Sequence, residues 1–221
     1  MEMRATVEDC PVEVKIGNVV LQGSLCIPSV AKGIVIFAHG SGSSRLSPRN
    51  HFVARELWAG KLGTLLFDLL TEEEEARDKY NAELRFNITL LTKRLAGATD
   101  WLIKSEGLEG FKIGYFGAST GAAAALAAAA ERPDVVKAVV SRGGRPDLAM
   151  AALSKVKAPT LLIVGGDDKE VIQMNKHALR YLEADKKLEI VPGATHLFEE
   201  PGTLERVSEL ARDWFSKYLN K

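Results

Sequence analysis

The sequence predicts an α/β fold: a mostly parallel, doubly wound sheet that opens with an antiparallel hairpin and carries helices on both faces. Three features predict it. Short apolar runs recur along the chain, segments long enough for helices alternate with them, and two β-rich stretches near the start are joined by a tight turn. The apolar runs are nearly continuous rather than alternating, which is what a parallel strand requires when helices cover both of its faces.

In chain order, Val12 to Ile16 and Val19 to Ile27 form the hairpin, because Gly17-Asn18 readily adopts the positive backbone angles of a tight turn. Buried strands are expected at Ile34 to Phe37, Thr64 to Phe67, Ile113 to Phe116, Val135 to Val140, Thr160 to Val164 and Leu188 to Val191. Helices are expected over Asn50 to Gly60, Phe86 to Glu106, Thr120 to Glu131, Val171 to Glu183 and Leu204 to Leu219. The Ala-rich stretch from Ala122 to Ala130 is a strong helix former whose small side chains allow close approach to the sheet. The acidic run Glu72 to Glu75 reads as a solvated loop or a first helical turn, where negative charge favours the helix dipole. With no internal repeat and no Pro- or Ser-rich linker, residues 1–221 are expected to form one domain.

Composition removes several functions. Lys plus Arg and Asp plus Glu are equal at 29 each, so no net positive field draws in nucleic acid or anionic membrane. The longest apolar run, Gly121 to Ala130, is shorter than the ~18 to 20 residues of a membrane span. Glu2, Arg4, Glu8 and Asp9 interrupt the place where a secretory signal needs an apolar core, and a cytoplasmic protein is expected. Cys10 and Cys26 lack metal-ligand or disulfide-framework spacing and read as reduced thiols, with no metal site.

The chemistry centres on Gly117-Ala118-Ser119-Thr120-Gly121, between the strand at Ile113 to Phe116 and the Ala-rich helix. A serine at a sharp strand-to-helix turn has its hydroxyl pushed out at the top of the sheet, and flanking glycines permit that turn. The bland alternative is a glycine-rich turn whose serine merely caps the helix. A serine hydroxyl is a weak nucleophile unless a base removes its proton. Of His39, His51, His177 and His196, the last lies in the loop after the final strand and faces the crevice at the strands' carboxyl ends. His51 and His177 fall in expected helices, and His39 reads as a structural group shaping its own loop. The imidazole needs a carboxylate to orient it. Asp167 and Asp168 both follow the strand at Thr160 to Val164, and Asp68 is a weaker replacement. The oxyanion of an acyl transfer needs N–H donors already aimed at it. Thr120 supplies one, and Ser41, in His39-Gly40-Ser41-Gly42-Ser43-Ser44, supplies the other.

Together His39-Gly40, Gly117 to Gly121, Gly165 to Val171 and Pro192 to His196 resemble the α/β-hydrolase superfamily over almost the whole chain. Serine, then acid, then histidine is its chain order. The resemblance implies a mainly parallel eight-stranded sheet, an acyl-enzyme mechanism without cofactor, and Asp168 as the acid, since the family's spacing after the first glycine falls there. The compact size and the surroundings of Asp168 and His196 are similar to small dienelactone-hydrolase-like proteins. The dienelactone hydrolases proper carry cysteine where Ser119 stands, which points here toward a serine carboxylesterase acting on a small-molecule ester.

Two other readings compete. A lactone or dienelactone hydrolase for an anionic substrate would use loop arginines, Arg45, Arg142 or Arg145, to hold a carboxylate. A non-catalytic binding protein on the same fold is the other. Finally, Ser141 to Pro159 leave room for only one short helix and no cap domain. The crevice is therefore expected to be shallow and selective for short acyl groups, unless another segment such as Leu69 to Phe86 builds an apolar tunnel.

Overall fold

The computed structural model describes residues 10–220, so the charged stretch holding Glu2, Arg4, Glu8 and Asp9 lies outside the described residues. Eight strands form one sheet: β1 (Cys10–Ile16), β2 (Val19–Cys26), β3 (Gly33–Ala38), β4 (Leu62–Phe67), β5 (Lys112–Ala118), β6 (Val136–Arg142), β7 (Thr160–Gly165) and β8 (Lys186–Val191). Their spatial order is β1-β2-β4-β3-β5-β6-β7-β8. β1 and β2 pair antiparallel, β2 and β4 likewise, and every later pairing is parallel. Of the Gly17-Asn18 pair only Gly17 takes a positive φ, 59°.

Among the described residues six α-helices lie between strands and a seventh follows the last: α1 (Pro48–Ala59), α2 (Glu72–Asn81), α3 (Ile88–Ile103), α4 (Thr120–Glu131), α5 (Met150–Leu153), α6 (Lys169–Leu179) and α7 (Thr203–Leu219). The sheet separates two apolar layers. On one face Val53, Ala54 and Leu57 of α1 and Val207, Ala211 and Phe215 of α7 pack against Val35, Phe37, Phe116 and Val140. On the other, Leu91, Leu95 and Ala98 of α3 and the alanines of α4 pack against Ile34, Ile36, Ile113 and Tyr115. Neighbouring residues of β3 and β5 thus feed opposite layers, which is why these strands read as unbroken apolar runs.

The acidic run takes the helical one of its two expected forms, as the first turn of α2, where Thr71 and Glu74 form a reciprocal capping box. Two expectations shift. The helix after β7 stops at Leu179, where Arg180 and Tyr181 close onto the His177 and Ala178 carbonyls in tighter turns. Arg142, read as a loop residue, is the last residue of β6, since its backbone is paired with Ala118 on one side and Ile163 on the other. Between β6 and β7 the chain holds only a 3-10 turn (Pro146–Ala149) and α5. Among the described residues no helix is long and apolar enough to cross a membrane.

The strand order reverses beside β3: the chain first steps to β4 on one side, then returns to β5 on the other. At such a switch point the loops leaving two adjacent strands diverge and open a crevice at their carboxyl ends. The loop beginning at His39 and the turn at Ser119 border that crevice. Phe215 is fully buried against β5. Phe215→Ala is expected to cost ~3–5 kcal/mol, as for other large core deletions, measured as a fall in the urea midpoint with unchanged slope.

Candidate active site

Ser119 stands between β5 and α4 at φ 51° and ψ −119°. A non-glycine residue there is strained by ~1–3 kcal/mol and persists only if its surroundings enforce it. The enforcement is steric. A Cβ at Gly117 would lie 2.4 Å from the Ala122 Cα, and one at Gly121 only 2.1 Å from the Ala38 carbonyl oxygen. With both positions bare, the first turn of α4 lies directly on the ends of β5 and β3. Ser119 makes no side-chain cap bond to α4, so its hydroxyl is not used in holding the helix.

Its Oγ lies 3.4 Å from Nε2 of His196, and His196 Nδ1 lies 2.6 Å from Asp168 Oδ2. A carboxylate only accepts, so the ring carries its proton on Nδ1 and leaves Nε2 free to accept from the serine. The structure brings Asp168 to the imidazole and leaves Asp167 outside, its carboxylate exposed and 3.8 Å from Lys169 Nζ. Thr195 donates to the Glu200 carboxylate from both its hydroxyl, at 2.6 Å, and its N–H, at 3.1 Å. That clamp fixes the turn immediately before His196. Sequence reasoning missed it, although Thr195 and Glu200 flank the histidine closely.

The loop after β3 is tied to the end of β4 at two points. His39 donates from Nδ1 to the Gly40 carbonyl at 3.0 Å and accepts the Leu69 N–H on Nε2 at 3.1 Å. Burial pushes the His39 pKa down, against the Gly40 carbonyl and the charges of Asp68 and Glu75. Asp68 accepts the Arg45 N–H at 2.7 Å and also binds the Arg45 guanidinium. The Ser41 N–H donates to Thr120 Oγ1 at 3.0 Å, which joins this loop to the first turn of α4. The Thr120 N–H opens that helix and has no intrahelical acceptor.

The dienelactone hydrolase family model matches residues 23–220. The chain belongs to the dienelactone hydrolase family. It is 60% identical to a dienelactone hydrolase from Anabaena variabilis, with a TM-score of 0.95 over 96% of this chain and 99% of that one. Est1E from Butyrivibrio proteoclasticus shares the fold at 16% identity, with a TM-score of 0.80 over 96% of this chain and 99% of that one. Two Mycobacterium tuberculosis proteins, each named a putative phosphoribosyl transferase, are 54% identical over 96% of this chain. This chain spans about half the length of those curated relatives, 47%. That family belongs to the α/β-hydrolase superfamily.

In this dienelactone hydrolase family member the three arginines of interest have different surroundings. Arg45 is engaged by Asp68, and Arg145 is held by both oxygens of Asp147 at 2.9 and 2.8 Å. Arg142 is 6% exposed and has no carboxylate partner among the described residues. Its guanidinium lies 5.9 Å from the centre of the Phe198 ring, and burial, followed by the like charge of Arg49, pushes its pKa down to about 10.

Beside Ser41 and Thr120 the crevice deepens into a cavity of about 260 Å³. Leu69, Leu70 and Leu91 form its apolar side, and Glu75, Lys79 and Arg85 its charged side. The expected shallow crevice is thus walled by the segment after β4, and the sequence signal for that wall is the Thr71-x-x-Glu74 capping box.

His39 carries a pH prediction. Its folded pKa lies below the ordinary 6.5, so below that pH the unfolded chain takes up a proton that the folded chain refuses. Stability from this source is complete above about pH 6.5 and falls on acidification by up to ~1.4 kcal/mol per pH unit. Urea unfolding at about pH 7.5 and 5.5 is expected to show a shallower acid loss for His39→Gln than for the parent.

Proposed function

We propose that this chain is a serine carboxylesterase for small esters, and the alignment of Ser119 Oγ, His196 Nε2 and Asp168 is the observation that carries the reading. Ser119 Oγ attacks the carbonyl carbon while His196 Nε2 takes its proton. The tetrahedral oxyanion accepts the Thr120 and Ser41 N–H groups, replacing Thr120 Oγ1 as the acceptor for Ser41. His196 passes the proton to the departing alcohol oxygen as the bond to carbon breaks. A water then attacks the acyl-enzyme with His196 again as base, releasing the acid and restoring Ser119. The cycle balances without a cofactor.

The leaving oxygen must lie toward His196, which protonates it. The cavity beside Ser41 and Thr120 is not lined by His196, so we assign it to the acyl group. A cavity of ~150 Å³ holds benzene, so 260 Å³ suits short acyl chains up to a single substituted ring. We assign the protein to dissolved esters in the cytoplasm rather than to nucleic acid or membrane. Arg142 favours a second reading, a lactone or ester bearing a carboxylate: an unpaired buried guanidinium beside the nucleophile strand would gain its counter-charge from such a substrate.

Ser119→Ala is expected to abolish ester hydrolysis and covalent labelling by a fluorophosphonate while the unfolding midpoint stays near that of the parent. Labelling that persists in this variant would overturn the nucleophile, and a parent protein that neither labels nor turns over esters would favour a binding protein. Asp168→Asn is expected to lower kcat by ~10⁴, by analogy with other triads, because the ring is then held in the wrong tautomer. Asp167→Asn should change kcat little, and steady-state kinetics on p-nitrophenyl acetate compare the two.

A further inference from the structure

The acid-rich helix α2 roofs the cavity beside the oxyanion loop, with Glu75, Asp78 and Lys79 on its lining. Its sequence, EEEEARDKYN, contains almost nothing apolar, and its one aromatic residue, Tyr80, is 94% exposed. None of residues 71–87 belongs to an apolar cluster or packs against one. A helix usually stays on a protein because it buries an apolar stripe. This one is held by other means.

Most of its bonds close on the segment itself. Thr71 Oγ1 accepts the Glu74 N–H at 3.1 Å, and Glu74 Oε2 accepts the Thr71 N–H at 2.9 Å. At the far end the Asp78 carboxylate gathers the Leu84 and Arg85 N–H groups and the Arg85 guanidinium. Among the described residues, one side-chain bond joins helix α2 itself to another element. Arg94 Nη2, on α3, donates to Glu74 Oε1 at 2.6 Å. The Arg94 side chain is 9% exposed, and its Nε is buried without a protein partner, so Glu74 is the carboxylate that compensates it.

We propose that α2 is a lid latched by the Glu74–Arg94 ion pair, and that this latch sets the size of the acyl group the site accepts. Closed, the lid bounds the 260 Å³ cavity. Opening strips little apolar surface from the lid, so no large hydrophobic cost opposes it. What opposes it is the separation of Arg94 from its counter-charge. A lid held this way yields to salt, because mobile ions screen the pair once its exposed side is reached by water. Glu74 and Arg94 are positioning residues here, since neither lines the cavity. The size-selection half of the proposal rests on the esterase reading, while the latch itself does not.

The test uses the 221-residue chain and its Glu74→Gln and Arg94→Met variants. Gln keeps the capping box and removes only the charge, so helix α2 and the fold are retained. Hydrogen exchange is expected to quicken several-fold across residues 72–86 in both variants, with α3, α4 and α7 unchanged. In the parent the same segment should quicken between low and molar sodium chloride, and the variants should lose that salt response. The ratio of kcat/KM for p-nitrophenyl naphthoate to that for the acetate should rise in the variants. Unchanged exchange over residues 72–86 in Glu74→Gln would overturn the latch. Faster exchange with an unchanged substrate ratio would overturn its role in size selection. If exchange changes as expected but the parent hydrolyses neither ester, the latch stands and the esterase reading falls.

Discussion

The arrangement of the site depends on how closely the first turn of α4 lies against the end of β3. At Gly121 the approach leaves no room for even one carbon, since a Cβ would meet the Ala38 carbonyl oxygen at 2.1 Å. That contact forces the chain to leave β5 through a turn that only a positive φ can make, and Ser119 occupies it. The same contact brings Thr120 beside the loop after β3, so that one hydrogen bond, from the Ser41 N–H to Thr120 Oγ1, fastens the two walls of the crevice together. Ser119, the N-terminus of α4 and the loop holding Ser41 are therefore one packed unit rather than three independent placements.

Around this unit the polar ties run in two directions. Toward β4, His39 and Asp68 fix the loop that holds Ser41 through Leu69 and Arg45. Toward β8, Thr195 and Glu200 fix the turn that presents His196. Each tie satisfies backbone groups in loops that leave the sheet ladder, where no strand neighbour is available to do so. These ties leave the loops that border the crevice bonded to their neighbours rather than to water alone.

Much of this was legible in the sequence, for local reasons. Uninterrupted apolar runs marked the parallel strands, and Ser119, Asp168 and His196 each follow such a run within a few residues, so their end of the sheet could be read from position alone. Other features depend on contacts distant along the chain. Nothing near Arg142 says that β6 continues through it, because Ser141 and Arg142 are polar; their burial follows from pairing with Gly117, Ala118, Leu162 and Ile163. Arg45 is committed to a carboxylate 23 residues away, and Arg94 to one 20 residues away. The stretch from Leu69 to Phe86 could be singled out as a possible boundary of the crevice, but not read as a full helix, because hydrophobic periodicity is absent there; its cap was the readable signal.

The separation of that helix from the core has an evolutionary consequence. A substitution in most of this protein is judged first by whether the chain still folds, since the majority of side chains around the sheet share the two apolar layers. Residues between Leu70 and Ile88 escape that filter, for they contribute to neither layer. Four of them, Glu75, Asp78, Lys79 and Arg85, also border the cavity beside Ser41 and Thr120. Drift in this stretch can therefore reshape what the cavity admits while the fold stays as it is, which makes it the natural place for relatives with the same sheet to diverge.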